Sequence, residues 1–336
     1  MKNIDTSIDN LLSNFSEKQV RVLEDRFGLN GKKLTLQEIG DYFGITRERV
    51  RQIEAQAIKE LKSDLQKEFD YLIKSADNFL EKSGGVREDN YLINDLIHIN
   101  EIKPTKYVED KIRFIFLVAS KPIFNKENNN FKAFWYRNKK DKENLLKYVK
   151  NTIKYFRKKD KKEILDDKVH LDELDSFKSH NYLSISKKFG TNVFGDFGLK
   201  DWPEIEPKVV RDKAYLVLKK KEKPLHFREI AKSINDLGLD KKKMHVQTVH
   251  NEVIKDNRFI LVGRGTYYLK DSDYEGGTVK DVINKILKQK GPLTQKEVVE
   301  LVNKKKILKE NTIMLNLQNK KHFKRLDDGK YDIKVS

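Results

Sequence analysis

The sequence predicts a mainly α-helical fold: an N-terminal helix-turn-helix followed by tandem winged-helix domains, each of three helices and a short β-hairpin. Three observations predict it. Helix-capping motifs precede helically spaced apolar residues along the first 65 positions. An internal repeat occupies residues 207–336. Each repeat unit ends in two strand-like runs around a glycine-bearing turn, which helical solenoid repeats lack. The 336 residues suffice for two or more domains of ~100–200 residues. A hydrophobic share of 38% against a charged share of 36% suits several small domains with much surface.

The elements follow in order. Residues 8–26 read as a helix and a second short one. Ser16-Glu17-Lys18-Gln19 is a capping box, and Val20, Leu23 and Phe27 follow at helical spacing before Gly28 ends the helix. Thr35-Leu36-Gln37-Glu38 is a second capping box, opening a short helix to about Phe43. Gly44 supplies a tight turn, and Thr46 caps a helix running to about Gln66, with Val50, Ile53, Ala57 and Leu61 on one face. Residues 66–140 read as helices at 69–82, 88–98 and 105–118, broken by Gly84-Gly85 and closed by the strand-like Phe131-Lys132-Ala133-Phe134-Trp135-Tyr136. Residues 141–200 repeat this loosely, with a long helix at 143–158, short helices, and glycines at 195 and 198; Trp202-Pro203-Glu204-Ile205-Glu206-Pro207 after them reads as a linker or a rigid turn.

In the C-terminal repeat, Lys223-Pro224-Leu225 corresponds to Gly291-Pro292-Leu293. Thr248 and Phe259 correspond to Thr312 and Phe323, and Gly265-Thr266-Tyr267 to Gly329-Lys330-Tyr331. The expected domains are 1–65 (helix-turn-helix), 66–140 (winged helix), 141–204 (degenerate winged helix and linker), 205–272 (winged helix) and 277–336 (second C-terminal winged helix).

The net charge of +18 favours a polyanion partner. Heavy use of Lys, Asn and Ile is also what an AT-rich genome produces, so the placement of the 14 arginines carries more information than the sum. Three of them lie in Arg47-Glu48-Arg49-Val50-Arg51. The second helix of a helix-turn-helix enters the major groove by its N-terminal residues. Arg suits guanine O6/N7 there, Gln suits adenine N6/N7 and Glu suits cytosine N4. Arg47, Glu48, Arg51 and Gln52 place that set on one helix face; the alternative reading is an ordinary solvated face.

Arg26-Phe27-Gly28-Leu29, Thr35-Leu36-Gln37-Glu38-Ile39-Gly40 and Gly44-Ile45-Thr46-Arg47-Glu48-Arg49-Val50-Arg51-Gln52-Ile53-Glu54-Ala55 together resemble region 4 of housekeeping sigma factors of the sigma-70 family. The resemblance covers about residues 8–62. It implies reading of a promoter −35 element and packing on the β flap of RNA polymerase. By resemblance Arg47, Glu48 and Gln52 reach bases, and Arg49 and Arg51 reach phosphates or bases, with Thr46 at the helix start. Sigma factors carry their clamp-binding and −10-melting regions upstream; this motif begins almost at Met1, so a complete sigma factor is not expected. Residues 1–65 hold 11 basic and 11 acidic residues, so affinity is expected to need the other domains.

Pro224-Leu225-His226-Phe227-Arg228-Glu229-Ile230-Ala231, with Val249 and the run from Phe259 through Gly263-Arg264-Gly265-Thr266-Tyr267, resembles the HARE-type helix-turn-helix over about 207–270. That winged helix also occurs in the polymerase delta subunit and in restriction and chromatin proteins, which implies DNA binding or polymerase association. Residues 205–269 hold 15 basic and 8 acidic residues, and 270–336 hold 16 and 10. The third helix, near 245–255, would present Gln247, Thr248 and Asn251, with Arg264 on the wing. Thr248 is expected as a cap or packing residue, and Phe227, Ile230 and Phe259 as core.

No enzyme is expected. There are no cysteines, so disulfides and thiolate chemistry are excluded. The seven histidines show no metal-binding spacing, and there is no P-loop. Asp196 or Asp201 with Glu206-Pro207-Lys208 faintly resembles a nuclease set, but Pro207 inside the supposed strand argues against it. No cofactor or metal is expected. No apolar run approaches ~18 residues, so no membrane is expected as a partner and a cytoplasmic, nucleoid location is. The expected partners are double-stranded DNA and RNA polymerase, the latter by resemblance through the β flap. The expected function is a sequence-specific transcription-initiation regulator. The alternatives are a delta-like polymerase-bound scaffold and a restriction- or nuclease-associated component.

Overall fold

The computed structural model describes residues 3–165 and 176–334, in two compact units. One is Met1–Gly190 with Phe197–Leu199, the other Thr191–Asp196 with Lys200–Ser336. The fold is mainly α-helical with small antiparallel sheets, as the sequence predicts.

In the first unit α1 (Ile4–Leu12), α2 (Glu17–Phe27), α3 (Leu36–Phe43) and α4 (Arg47–Glu68) form the helix-turn-helix. Both expected capping boxes are present, Ser16 with Gln19 and Thr35 with Glu38. A small core of Val22, Ile39, Val50 and Ile53 holds α2, α3 and the start of α4 together.

The winged helix that follows is α5 (Asp70–Lys82), β1 (Val86–Glu88), α6 (Asp89–Ile99), α7 (Val108–Ala119), β2 (Ile123–Asn125) and β3 (Phe134–Tyr136). Its strands run in the order β1-β3-β2, all antiparallel. The expected boundary at 65 falls inside α4, and the apolar packing does not break there. Leu61 and Leu65 of α4, the hinge residue Phe69, Leu72 and Leu80 of α5, Leu92 of α6 and Ile112 and Phe116 of α7 belong to one buried core.

That core accounts for α7. It is the third helix of its winged helix, the position that enters the major groove in DNA-reading members of this architecture. Here Lys111 reaches Asp5 of α1 at 2.7 Å, and Gln66 of α4 donates to the carbonyl of Ala119 at 2.9 Å. Phe114, Ile115 and Phe116 are all buried. This helix serves as a platform beneath α4.

The next segment comprises α8 (Lys139–Lys158), α9 (Lys161–Leu165), α10 (Ser176–Ile185) and the hairpin β4 (Phe189–Thr191) and β5 (Phe197–Leu199). α8 starts four residues before the expected 143 because Asn138 caps it, accepting from the backbone N–H of Asp141. α10 is also held by protein: the fully buried Asn181 donates to the carbonyls of Ser83 at 2.8 Å and Val86 at 2.6 Å, and Tyr182 donates to Gly84 at 2.7 Å.

The second unit holds the tandem repeat. Its first half is α11 (Val210–Lys221), β6 (Leu225–His226), α12 (Phe227–Asp236), α13 (Val246–Lys255), β7 (Phe259–Gly263) and β8 (Thr266–Leu269), with strand order β6-β8-β7. The second is α14 (Val279–Lys290), α15 (Gln295–Lys305), α16 (Glu310–Leu317), β9 (Phe323–Arg325) and β10 (Tyr331–Ile333). The repeat seen in sequence is a repeat of register: Leu225 pairs with Tyr267, and Leu293 bridges Tyr331. Ile230 and Phe259 are core, as expected, whereas Phe227 is only half-buried.

The two repeats are docked through the wing strand β7. The backbone N–H of Ile307 donates to Val262 at 2.7 Å, and Lys306 donates to the carbonyl of Leu261 at 2.8 Å. A Cβ at position 263 would lie 2.7 Å from the carbonyl oxygen of Ile307. Only glycine permits that approach. Gly263→Val is therefore expected to cost about 1–3 kcal/mol of stability, read as a lower melting temperature of the second unit. Unchanged melting by calorimetry would remove this docking account.

Candidate nucleic-acid interface

The first turn of α4 carries the sequence-predicted site. Thr46 is the N-cap, with φ −69° and ψ 150°, and its hydroxyl accepts from the backbone N–H of Arg49 at 3.2 Å. Gly44, at φ 63°, closes α3 one residue before Ile45. A helix advances 100° per residue, so burying Val50, Ile53 and Ala57 turns Arg47, Glu48, Arg51 and Gln52 outward together. All four are exposed, as is Arg49 on their flank.

Those side chains are already engaged with one another. Arg51 binds Glu48 in a two-pronged contact, Nε to Oε2 at 2.9 Å and Nη2 to Oε1 at 2.7 Å. Arg49 Nη1 donates to Gln52 Oε1 at 3.1 Å. The hydrogen bond from Arg51 holds the Glu48 carboxyl below its usual pKa, and the same bond raises that of Arg51. Glu48 therefore stays ionised at neutral pH. Exposed contacts of this kind exchange readily with water or a new partner. The Arg47 side chain has no hydrogen bond or ion pair among the described residues. The helix N-terminus adds positive dipole potential at the same end.

Sequence reasoning missed what aims this turn. Arg26 of α2 reaches Glu54 of α4 at 3.1 Å and the carbonyl of Leu34 at 2.8 Å, tying α2 to α4 and to the approach to α3. Their separations of 28 and 8 residues left no local signal.

The second predicted group is on α13 and its wing. Gln247 and Asn251 are exposed one turn apart, and Gln247 Nε2 donates to Asn251 Oδ1 at 3.1 Å. The cap of α13 is His245, whose Nδ1 accepts from the backbone N–H of Gln247 at 3.2 Å. Thr248, expected as a cap or packing residue, is instead an exposed position of the first turn, because the helix begins at Val246. Arg264 is exposed at the β7–β8 turn. The equivalent third helix α16 differs where it matters for base edges: Leu315, 72% exposed, stands where α13 has Asn251.

The residues of the nuclease-like set are placed otherwise. Asp196 accepts from Asn192 at 2.7 Å and Lys220 at 2.6 Å, while Glu206 is exposed in a turn rather than on a strand. Among the described residues no three His, Asp or Glu side chains are grouped to hold a metal ion; His170 lies outside them. No helix of the described residues is long and apolar enough to cross a membrane.

Comparison with known proteins assigns two segments. Residues 11–63 match the family "Sigma-70, region 4". Residues 208–272 match the HARE-HTH family, described as an "ASXL, restriction endonuclease HTH domain". The chain is similar to "RNA polymerase sigma factor SigA" from Bacillus sp, 46% identical over 56 residues, or 16% of this chain. The chain spans only 15% of that relative's length. The exposed turn of α4 thus lies in the segment that matches sigma region 4, and α13 in the segment that matches the HARE-HTH family.

Proposed function

We propose that this protein is a transcription-initiation regulator that reads a promoter −35-like duplex with residues 46–52 and associates with RNA polymerase. The observation that carries the reading is the outward-facing set Arg47, Glu48, Arg51 and Gln52 at the start of α4, inside the segment that matches sigma region 4. In this proposal Arg47 and Gln52 hydrogen-bond base edges, and Glu48 reaches a base once Arg51 releases it. Arg49 and Arg51 bind phosphates or bases, and Thr46 sets the start of the reading helix.

The helix-turn-helix has balanced charge, so phosphate attraction comes from elsewhere. The HARE-type domain supplies Gln247, Asn251 and Arg264 from an exposed third helix and wing. The buried α7 and α10 are unsuited to that task. In this proposal polymerase association runs through the β flap in the manner of sigma factors, a reading supported by the similarity to a polymerase sigma factor.

One observation favours a second reading for the last repeat. Leu315 presents an apolar side chain where Asn251 presents a polar one, which suits contact with protein, as a delta-like polymerase-bound scaffold would make. Genome-wide footprinting combined with polymerase co-purification tests both. The regulator reading expects protection centred on a shared sequence together with recovery of polymerase. Polymerase recovered with no common protected sequence would replace it with the scaffold.

A further inference from the structure

The densest positive charge in the chain lies outside the helix-turn-helix and the HARE-type domain, on and just after α8. Residues 139–162 hold 11 basic and 3 acidic residues, close to half of the net +18 in 24 positions. Most of them are on α8. This helix buries Leu145, Val149, Thr152 and Phe156 within the first unit. The opposite side carries Lys140, Lys147, Lys150, Lys154 and Lys158, all exposed. At 100° per residue these five fall within about an 80° arc, and at 1.5 Å per residue they span about 27 Å. Glu143 is the one carboxylate in that arc, and Asn144 and Asn151 border it. None of the five lysines makes an ion pair among the described residues, whereas neighbouring charges do: Lys159 lies 3.9 Å from Glu163, and Lys187 pairs with Glu127.

We infer that this face of α8 is a phosphate-contacting surface for double-stranded DNA, independent of sequence. A codon bias towards lysine raises the count everywhere, but it does not exclude acidic partners from one face of one helix. About 27 Å of B-DNA axis carries on the order of 16 phosphate charges, so the stripe matches most of a helical turn of duplex. A membrane surface fits less well. An interfacial helix sinks its apolar face into the lipid, and the apolar face of α8 is already in the protein core. The inference rests on the DNA-binding reading above and deepens it: the surface supplies affinity that the charge-balanced residues 1–65 lack.

The test is fluorescence anisotropy of the full chain on a 30-base-pair duplex of arbitrary sequence across a potassium chloride series. The variants are K147Q/K150Q/K154Q/K158Q and the matching set of arginine substitutions. The glutamine variant is expected to bind at least tenfold more weakly at 0.1 M salt. Its slope of log K against log salt should be shallower by about 2–4, at about 0.9 per phosphate lost. The arginine variant should keep the wild-type slope. An unchanged slope in the glutamine variant overturns the proposal. So does an unchanged duplex slope with loss of binding only to structured RNA or to anionic vesicles. If wild-type protein selects no sequence but the glutamine variant still loses slope, the −35 reading fails while this surface stands.

Discussion

Arg47→Ala combined with Gln52→Ala is expected to erase the protein's preference for its selected duplex while leaving binding to arbitrary DNA nearly intact. A well-formed bidentate contact between a side chain and a base is worth about 1–3 kcal/mol of discrimination, so two lost together remove about 2–6 kcal/mol, roughly 30-fold at the lower bound. Both side chains are exposed on a helix whose core face is Val50, Ile53 and Ala57, so truncation should not unfold the domain. Arg49 loses its contact with Gln52 and gains only freedom. Selection from random duplexes measures the outcome. A double variant that enriches the same sequence as the parent would sink the assignment of base reading to this turn.

Phe69→Ala is expected to lower stability by about 3–5 kcal/mol, and to do so across both the helix-turn-helix and the winged helix after it. Phe69 is 1% exposed and sits at the junction where α4 ends and α5 begins. Its core neighbours include Leu61 and Leu65 before it and Leu72 and Ile112 after it. A cavity there removes packing from every helix that lines it. Hydrogen exchange should report faster opening in α2, α4 and α7 together. Retained protection in α7 while α2 and α4 open would mean that the two modules do not share a folding unit.

Much of the helix-turn-helix was legible because its signals are local. Ser16 with Gln19 and Thr35 with Glu38 satisfy helix-start donors three residues away, so residue type and spacing suffice to find them. Thr46 is recognisable for the same reason, and the buried stripe on α4 follows from a period of 3.6. The C-terminal repeat was legible because two copies of one unit sit in tandem, with Leu225 opposite Tyr267 and Leu293 opposite Tyr331. The start of α8 was not, since its first apolar residue comes six positions after Lys139 and the apolar period carries no information until then.

The sequence by itself determined the main helices, the exposed set at 46–52 and the kinship of the last two domains, because each depends on contacts within a few residues or on repetition. It did not find the third strands Val86–Glu88 and Leu225–His226, which pair only across the fold. Only the tertiary structure decided which third helices remain free. α7 and α10 have the length and position of DNA-reading helices. Their faces are instead consumed by partners far along the chain, by Asp5 and α4 for one and by the turn at Ser83–Val86 for the other. Burial of that kind is set by packing between segments tens of residues apart, and no short-range pattern of polar and apolar residues encodes it.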